Sequence, residues 1–124
     1  MCEEKNIAES WIARYEIIQK QGDNSPEANE LFWSFEALDR FCRKDPDKAW
    51  SIILLIFHAT NSDFVLDNLA AGPLESLLAW NGPKVIRWVE TEAASDERFK
   101  TLLGGVWQNL MTSEIWQRVR DASL

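Results

Sequence analysis

The chain has 124 residues, the size of one domain that can bury a core without a disulfide or a metal. Hydrophobic residues make up 46% of it and charged residues 27%, which is typical of a folded globular protein rather than a disordered one. Acids outnumber bases by 20 to 13, and the net charge of −7 disfavours binding to nucleic acid or to an anionic membrane. We therefore predict a single domain over residues 1–124, with residues 1–25 as a peripheral N-terminal helix and linker.

The N-terminus and the cysteines indicate a cytoplasmic protein. The chain does not open with a basic segment followed by an apolar one, so we expect no secretory signal. The longest apolar run, residues 52–57, is far shorter than the roughly 20 residues of a membrane-spanning helix. The two cysteines, Cys2 and Cys42, lack the spacing of a redox motif or a metal site. We expect no disulfide, no metal and no cofactor.

Helical spacing of apolar residues along almost the whole chain predicts an all-α fold. Ser25 and Asp45 each precede a proline, the pattern of an N-cap followed by the first helical residue. Gly72-Pro73 and Asn81-Gly82-Pro83 read as places where one helix stops and another starts. The predicted helices cover residues 4–20, 26–43, 46–59, 63–71, 73–81, 83–93, 96–103 and 113–122. About eight short helices of this kind are expected to pack as antiparallel pairs, in a small helical-repeat-like stack of the HEAT or armadillo type.

The middle of the chain suggests a surface for a basic partner. Residues 49–59 are apolar on every side, which predicts a central helix. The helix before them carries Phe32, Glu36 and Asp39 on one arc, where an aromatic side chain among charges is typical of a contact surface. Residues 49–83 include no lysine or arginine, and their three acids are Asp63, Asp67 and Glu75.

Residues suited to catalysis are scarce. His58 is the single histidine, and its place in the last turn of an apolar helix favours a structural role beside the terminal carbonyls. Glu75 would fall at the third position of a helix capped by Gly72, where a carboxylate can stabilise the helix start. Gly104-Gly105 is better explained by a tight turn between helices than by a phosphate-binding loop. We predict no catalytic residue and favour a protein that is not an enzyme.

Seven tryptophans are spread along the chain. Most are expected to fill gaps between short helices, while one or two are expected to line a groove or a surface patch. Trp116 is the strongest surface candidate, because Ile115, Val119 and Ala122 form the apolar stripe of its helix and Trp116 points away from it.

Four segments resemble a family of small bacterial domains of unknown function. They are D-P-D-K-A-W (45–50), L-A-A-G-P-L-E-S-L-L (69–78), D-E-R-F-K-T-L-L-G-G-V-W-Q-N (96–109) and E-I-W-Q-R-V (114–119). Members of the family often carry an aromatic pair followed by Leu-Asp, as in residues 32–39. The resemblance spans roughly residues 30–120 and implies an all-α bacterial domain. It implies no activity and no catalytic residue.

The sequence favours a non-catalytic protein–protein interaction module. One form would be an acidic immunity protein or antitoxin-like inhibitor that masks a basic partner, since opposite charges speed and orient association. The predicted contact residues are Phe32, Glu36, Asp39, Asp63, Asp67 and Trp116. The alternative is an enzyme or small-ligand binder with a pocket between helices, lined by Glu75, Trp107, Gln108 and Asn109. A self-associating structural protein is a third hypothesis, and the oligomeric state stays open.

Overall fold

The computed structural model describes residues 3–124, and within that range every regular element is helical. Cys2 lies outside the described residues. The helices are α1 (Glu3–Gln21), α2 (Pro26–Glu30), α3 (Phe32–Lys44), α4 (Pro46–Ala59), α5 (Asp63–Leu69), α6 (Glu75–Ser95), α7 (Glu97–Leu103) and α8 (Ser113–Ala122), with a π-helical turn at Ala70–Leu74 between α5 and α6. The all-α prediction is confirmed.

Side-chain caps mark the helix starts. Ser25 accepts a hydrogen bond from the backbone N–H of Ala28, and Asp45 accepts one from Lys48. Thr112 caps α8 in the same way. Ser95 is the last residue of α6, and the cap of α7 is Asp96.

The number of helices differs from the prediction of eight. Within residues 3–124, seven helices have at least seven residues, and α2 is a single turn of five. Residues 73–93, expected as two helices, lie almost entirely in α6, in which two helical segments meet at a kink where Asn81 has non-helical dihedral angles (φ −135°, ψ 30°). The Asn81 side chain donates to the backbone carbonyls of Cys42 and Arg43 on α3, which holds the kink in place. At Pro73 the wider π-helical turn accommodates a residue that has no N–H to donate.

Helix α4 is the centre of the fold, as its apolar sequence predicts. It packs against α1, α3, α5 and α6, and its side chains Ile52, Ile53, Ile56 and Phe57 are fully buried. Trp50 extends the core toward α7 through an edge-to-face contact with Phe99, with ring centroids 5.8 Å apart. Four helices therefore surround α4, while α8 packs on α6 and α7, an arrangement that does not confirm the predicted helical-repeat stack.

The first helix belongs to this core, although it was expected to be peripheral. Helix α1 packs mainly against α4 and α3 and also contacts α5, and Trp11 of this helix is completely buried. Ile7 and Ala8 are buried on the same side. Burial of a tryptophan contributes several kilocalories per mole to a fold, so α1 is part of the domain rather than an appendage.

Candidate functional site

Three large apolar side chains are exposed around one loop. The α7–α8 loop (residues 104–112) carries Trp107, which is 71% exposed, and Leu110, which is 80% exposed. Trp80 of α6 is 59% exposed and lines the same cleft as Leu110. An apolar group of this kind on a domain surface is typical of a binding site.

The buried carboxylate of Glu75 holds the α7–α8 loop in place. Glu75 begins α6 and is only 7% exposed. One of its oxygens accepts the backbone N–H of Trp107 at 3.0 Å, and the other accepts the side-chain amide of Asn109. Asn109 has a φ of 43°, in the left-handed region that asparagine tolerates better than most residues. Glu75 thus fixes the loop through contacts that span more than thirty residues of sequence, whereas its carboxylate was predicted to stabilise the start of its own helix.

The loop also closes on itself. Gln108 and Met111 exchange two hydrogen bonds: the Met111 N–H donates to the Gln108 carbonyl at 2.8 Å, and the Gln108 side chain donates to the Met111 carbonyl at 3.2 Å. Met111 and Val106 are buried beneath the loop, while Trp107 and Leu110 face outward. A loop with internal bonds and two buried anchors presents its exposed side chains in a preorganised position.

Two clefts flank the loop. The Trp80 cleft, of about 500 Å³, lies between the start of α6 and the loop, and its lining residues are Glu75, Ser76, Ala79, Trp80, Asn109 and Leu110. The Asp67 cleft, of about 260 Å³, lies on the side of Gly105, and its lining residues are Asn61, Asp63, Leu66, Asp67, Ala70, Arg98, Thr101, Leu102 and Gly105. The loop is one wall of both clefts.

The two clefts differ in charge. Glu75 is the one carboxylate among the described residues that line the Trp80 cleft, and both of its oxygens are engaged. In the Asp67 cleft, Asp63 and Asp67 are exposed, and their carboxylates have no hydrogen bond or ion pair within residues 3–124. Arg98 lies in the same cleft, but its guanidinium donates to the backbone carbonyls of Phe57 and Thr60 and covers the Phe57 ring.

The predicted contact residues are divided among three regions. Phe32 stacks on Phe35 at the start of α3, and Asp39 pairs with Arg43 at 3.2 Å farther along that helix, where Glu36 is exposed. Asp63 and Asp67 lie in the Asp67 cleft. Trp116 is partly buried against the core and is therefore less exposed than Trp80 or Trp107.

Two residues of the alternative pocket, Glu75 and Asn109, line the Trp80 cleft, whereas Trp107 and Gln108 do not. Glu75 contacts Trp107 and Asn109 directly, and Gln108 lies in the same loop. Trp80 and Leu110 were missed. Two signals could have identified them. One is a tryptophan directly before the Asn-Gly-Pro segment, and the other is the pair of large apolar residues within a loop rich in glycine and amide side chains.

Other reactive side chains offer little chemistry. Burial, reinforced by the nearby negative charge of Asp39, raises the pKa of the Cys42 thiol to about 12, and the thiol donates to the carbonyl of Pro73. His58 is exposed at the end of α4 against the Phe57 ring. Within residues 3–124 we find no cluster of three or more histidine, cysteine or acidic side chains that could bind a metal ion. None of the helices described there has both the length and the apolar character needed to cross a membrane.

The fold and its exposed loop define a small all-helical domain with a preorganised apolar surface. The model of a family described as "Family of unknown function (DUF6869)" matches residues 21–124, so the chain belongs to that family. No curated protein and no solved structure matches the chain significantly. The matched region includes both clefts and excludes almost all of α1.

Proposed function

We propose that the protein is a non-catalytic protein–protein interaction module that binds a partner through the α7–α8 loop. The observation that carries this proposal is the exposure of Trp80, Trp107 and Leu110 around a loop anchored by buried Glu75. Tryptophan is the residue type most enriched at binding hot spots, where its truncation costs about 2 kcal/mol or more. A loop already fixed in the free protein loses little conformational freedom on binding.

The charge of the chain favours a basic partner. The net charge is −7, and residues 49–83, which include Trp80, carry no lysine or arginine. The α7–α8 loop carries no charged residue at all. A basic protein would be attracted over a distance and could then bury its apolar contacts on the loop. An immunity protein or antitoxin-like inhibitor that covers a basic nuclease or toxin is the specific form we propose.

The Trp80 cleft gives less support to an enzyme. General acid–base catalysis of the paired-carboxylate kind needs two carboxyl groups with separated pKa values and free access to substrate. Glu75 lines this cleft without a second acid among the described residues, and its oxygens accept hydrogen bonds from Trp107 and Asn109. The carboxylate therefore acts as an anchor for the loop.

Affinity capture with matched tryptophan variants tests the proposal. The tagged protein is used to retain binding proteins from an extract of the organism that encodes it, alongside Trp107→Ala and Trp80→Ala. Trp33→Ala is the control, because Trp33 is a 42%-exposed tryptophan on α3. We expect a basic protein to be retained by the wild type and by Trp33→Ala and lost from the other two variants, with retention that falls as salt rises.

Two results would count against the proposal. One is retention of the same proteins by Trp107→Ala and the wild type. The other is a partner of acidic character whose retention is insensitive to salt. If the partner has an enzymatic activity, addition of the purified protein should suppress that activity, and the Trp107→Ala variant should suppress it at least about tenfold less effectively.

A further inference from the structure

The α7–α8 loop lines both clefts, so together they form one surface with an apolar part and an acidic part. Gly105 lines the Asp67 cleft, whereas Asn109 and Leu110 line the Trp80 cleft. Trp107 lies between these residues in the same loop. The loop is also seated closely on the turn that joins α5 to α6, because a Cβ at Gly105 would be 3.5 Å from that of Ala70. The spacing between the acidic and the apolar parts is therefore fixed.

We infer that the partner presents an apolar side chain beside a lysine or arginine, and that the apolar side chain enters the Trp80 cleft while the cation meets Asp63 and Asp67. This inference rests on the proposed function and specifies the chemistry of the partner. The Trp80 cleft offers the indole of Trp80, the side chain of Leu110 and the methyl of Ala79. Its one carboxylate is covered, so an apolar occupant does not leave that charge unpaired.

The Asp67 cleft supplies the complementary charge. Asp63 is the first residue of α5, and Asp67 follows one turn later on the same face. Both carboxylates are exposed and unpaired within the described part of the chain, so they are open to an incoming cation. The guanidinium donors of Arg98 are turned to the carbonyls of Phe57 and Thr60.

A second copy of this chain does not fit the same surface. In a two-fold dimer each copy contributes the same patch, so the interface would enclose Asp63 and Asp67 twice. Like charges across an interface oppose association, and the net charge of −7 adds to the repulsion. A basic partner removes both costs.

Three synthetic peptides provide the test. The first carries leucine and lysine at helical spacing, the second replaces every lysine by glutamate, and the third replaces every leucine by serine. Binding to the full chain is measured by titration calorimetry, and the site is located by NMR through the amide and indole signals. We expect the leucine–lysine peptide to bind at least about tenfold more tightly than the other two, with shifts at Trp80, Trp107, Asp63 and Asp67 and none at Trp33.

Variants with neutralised carboxylates test which acidic residues meet the cation of the peptide. Asp63→Asn/Asp67→Asn should weaken the leucine–lysine peptide by about tenfold and flatten the dependence of its affinity on salt. The control is Glu9→Gln/Glu16→Gln, which removes two exposed carboxylates from α1 and should leave both quantities unchanged. Leu110→Ala should weaken binding, with Leu55→Ala as its control because Leu55 is exposed on α4.

Several outcomes would overturn the inference. These are no binding of the leucine–lysine peptide, equal binding of the leucine–glutamate peptide, or an equal effect of the two carboxylate pairs. Concentration-dependent self-association of the free chain that Trp107→Ala abolishes would identify a second copy as the occupant instead. If a captured partner depends on Trp107 but not on Asp63 and Asp67, the inference fails while the proposed function stands. If the partner is independent of Trp107, both fail.

Discussion

Replacing Glu75 by alanine should destabilise the domain and release the α7–α8 loop. The change removes both acceptors at once and leaves the N–H of Trp107 and the side-chain amide of Asn109 without a partner. A hydrogen bond to a charged acceptor contributes about 1.5–3 kcal/mol to stability. Because Trp107 and Asn109 are exposed and regain water, we expect a net loss of about 2–4 kcal/mol for the two bonds together.

Two further variants divide this effect. Glu75→Gln keeps the shape of the side chain but turns an amide N–H₂ toward one of the two donors, so about half of the loss should remain. Asn109→Ala removes one donor and should cost about 1–2 kcal/mol. The double variant Glu75→Ala/Asn109→Ala should be less destabilised than the sum of the single variants, because both remove the same bond.

Urea unfolding followed by far-UV circular dichroism measures these free energies, and amide hydrogen exchange at Trp107 reports the loop directly. Exchange at Trp107 should be fast in Glu75→Ala and close to that of the wild type in Asp121→Asn, a control carboxylate on α8. A loss below about 0.5 kcal/mol with unchanged exchange at Trp107 would refute the role of Glu75 as the anchor of the loop.

Three other predictions follow from the core. Gly82→Ala should lower the free energy of unfolding in urea by about 1–3 kcal/mol, because the added Cβ would lie 3.0 Å from the buried side chain of Ile115. Gly72→Ala is the control and should not destabilise the chain, because a Cβ there meets nothing within 4 Å. In a background with Cys2 replaced, alkylation of Cys42 should be far slower in the folded protein than in urea. Because the pKa of this thiol rises from 9.0 to about 12 on folding, the stability that the neutral thiol provides should be complete below pH 9 and lost between pH 9 and 12. Deleting α1 should abolish cooperative unfolding, and a shortened chain with the wild-type urea midpoint would contradict its place in the core.

Local signals predicted most of the helices. N-caps such as Ser25, Asp45 and Thr112 are readily predicted from sequence, because each accepts a hydrogen bond from a backbone N–H only three residues later and both partners lie in one short segment. The all-apolar pattern of residues 49–59 likewise predicted the central helix, although Leu55 and His58 of that helix are exposed. Gly72-Pro73 and Asn81-Gly82-Pro83 do mark irregular backbone, a π-helical turn and a kink respectively. The helical path nevertheless continues through both, because of packing against the neighbouring helices.

The candidate site was harder to predict because its contacts are distant in sequence. Glu75 was assigned to the cap of its own helix, whereas its partners lie beyond the end of α7. Helical spacing shows which way Trp116 points, but only the packing of α8 determines how much of its indole is covered. Trp80 and Leu110 belong to different segments, and no local pattern reveals that they share a cleft.

Because the tryptophans differ in burial, their fluorescence can report on the candidate binding surface. Trp11 is sealed in the core, Trp50, Trp88 and Trp116 are partly buried, and Trp33 on α3 is 42% exposed. Trp80 and Trp107, beside the candidate binding surface, are the most exposed. A neutral quencher such as acrylamide should therefore reduce the emission of Trp80 and Trp107 most strongly, while iodide, repelled by the net charge of −7, should reach them less readily. A partner that covers the loop would shield the same two indoles, so its arrival can be followed in the unlabelled chain.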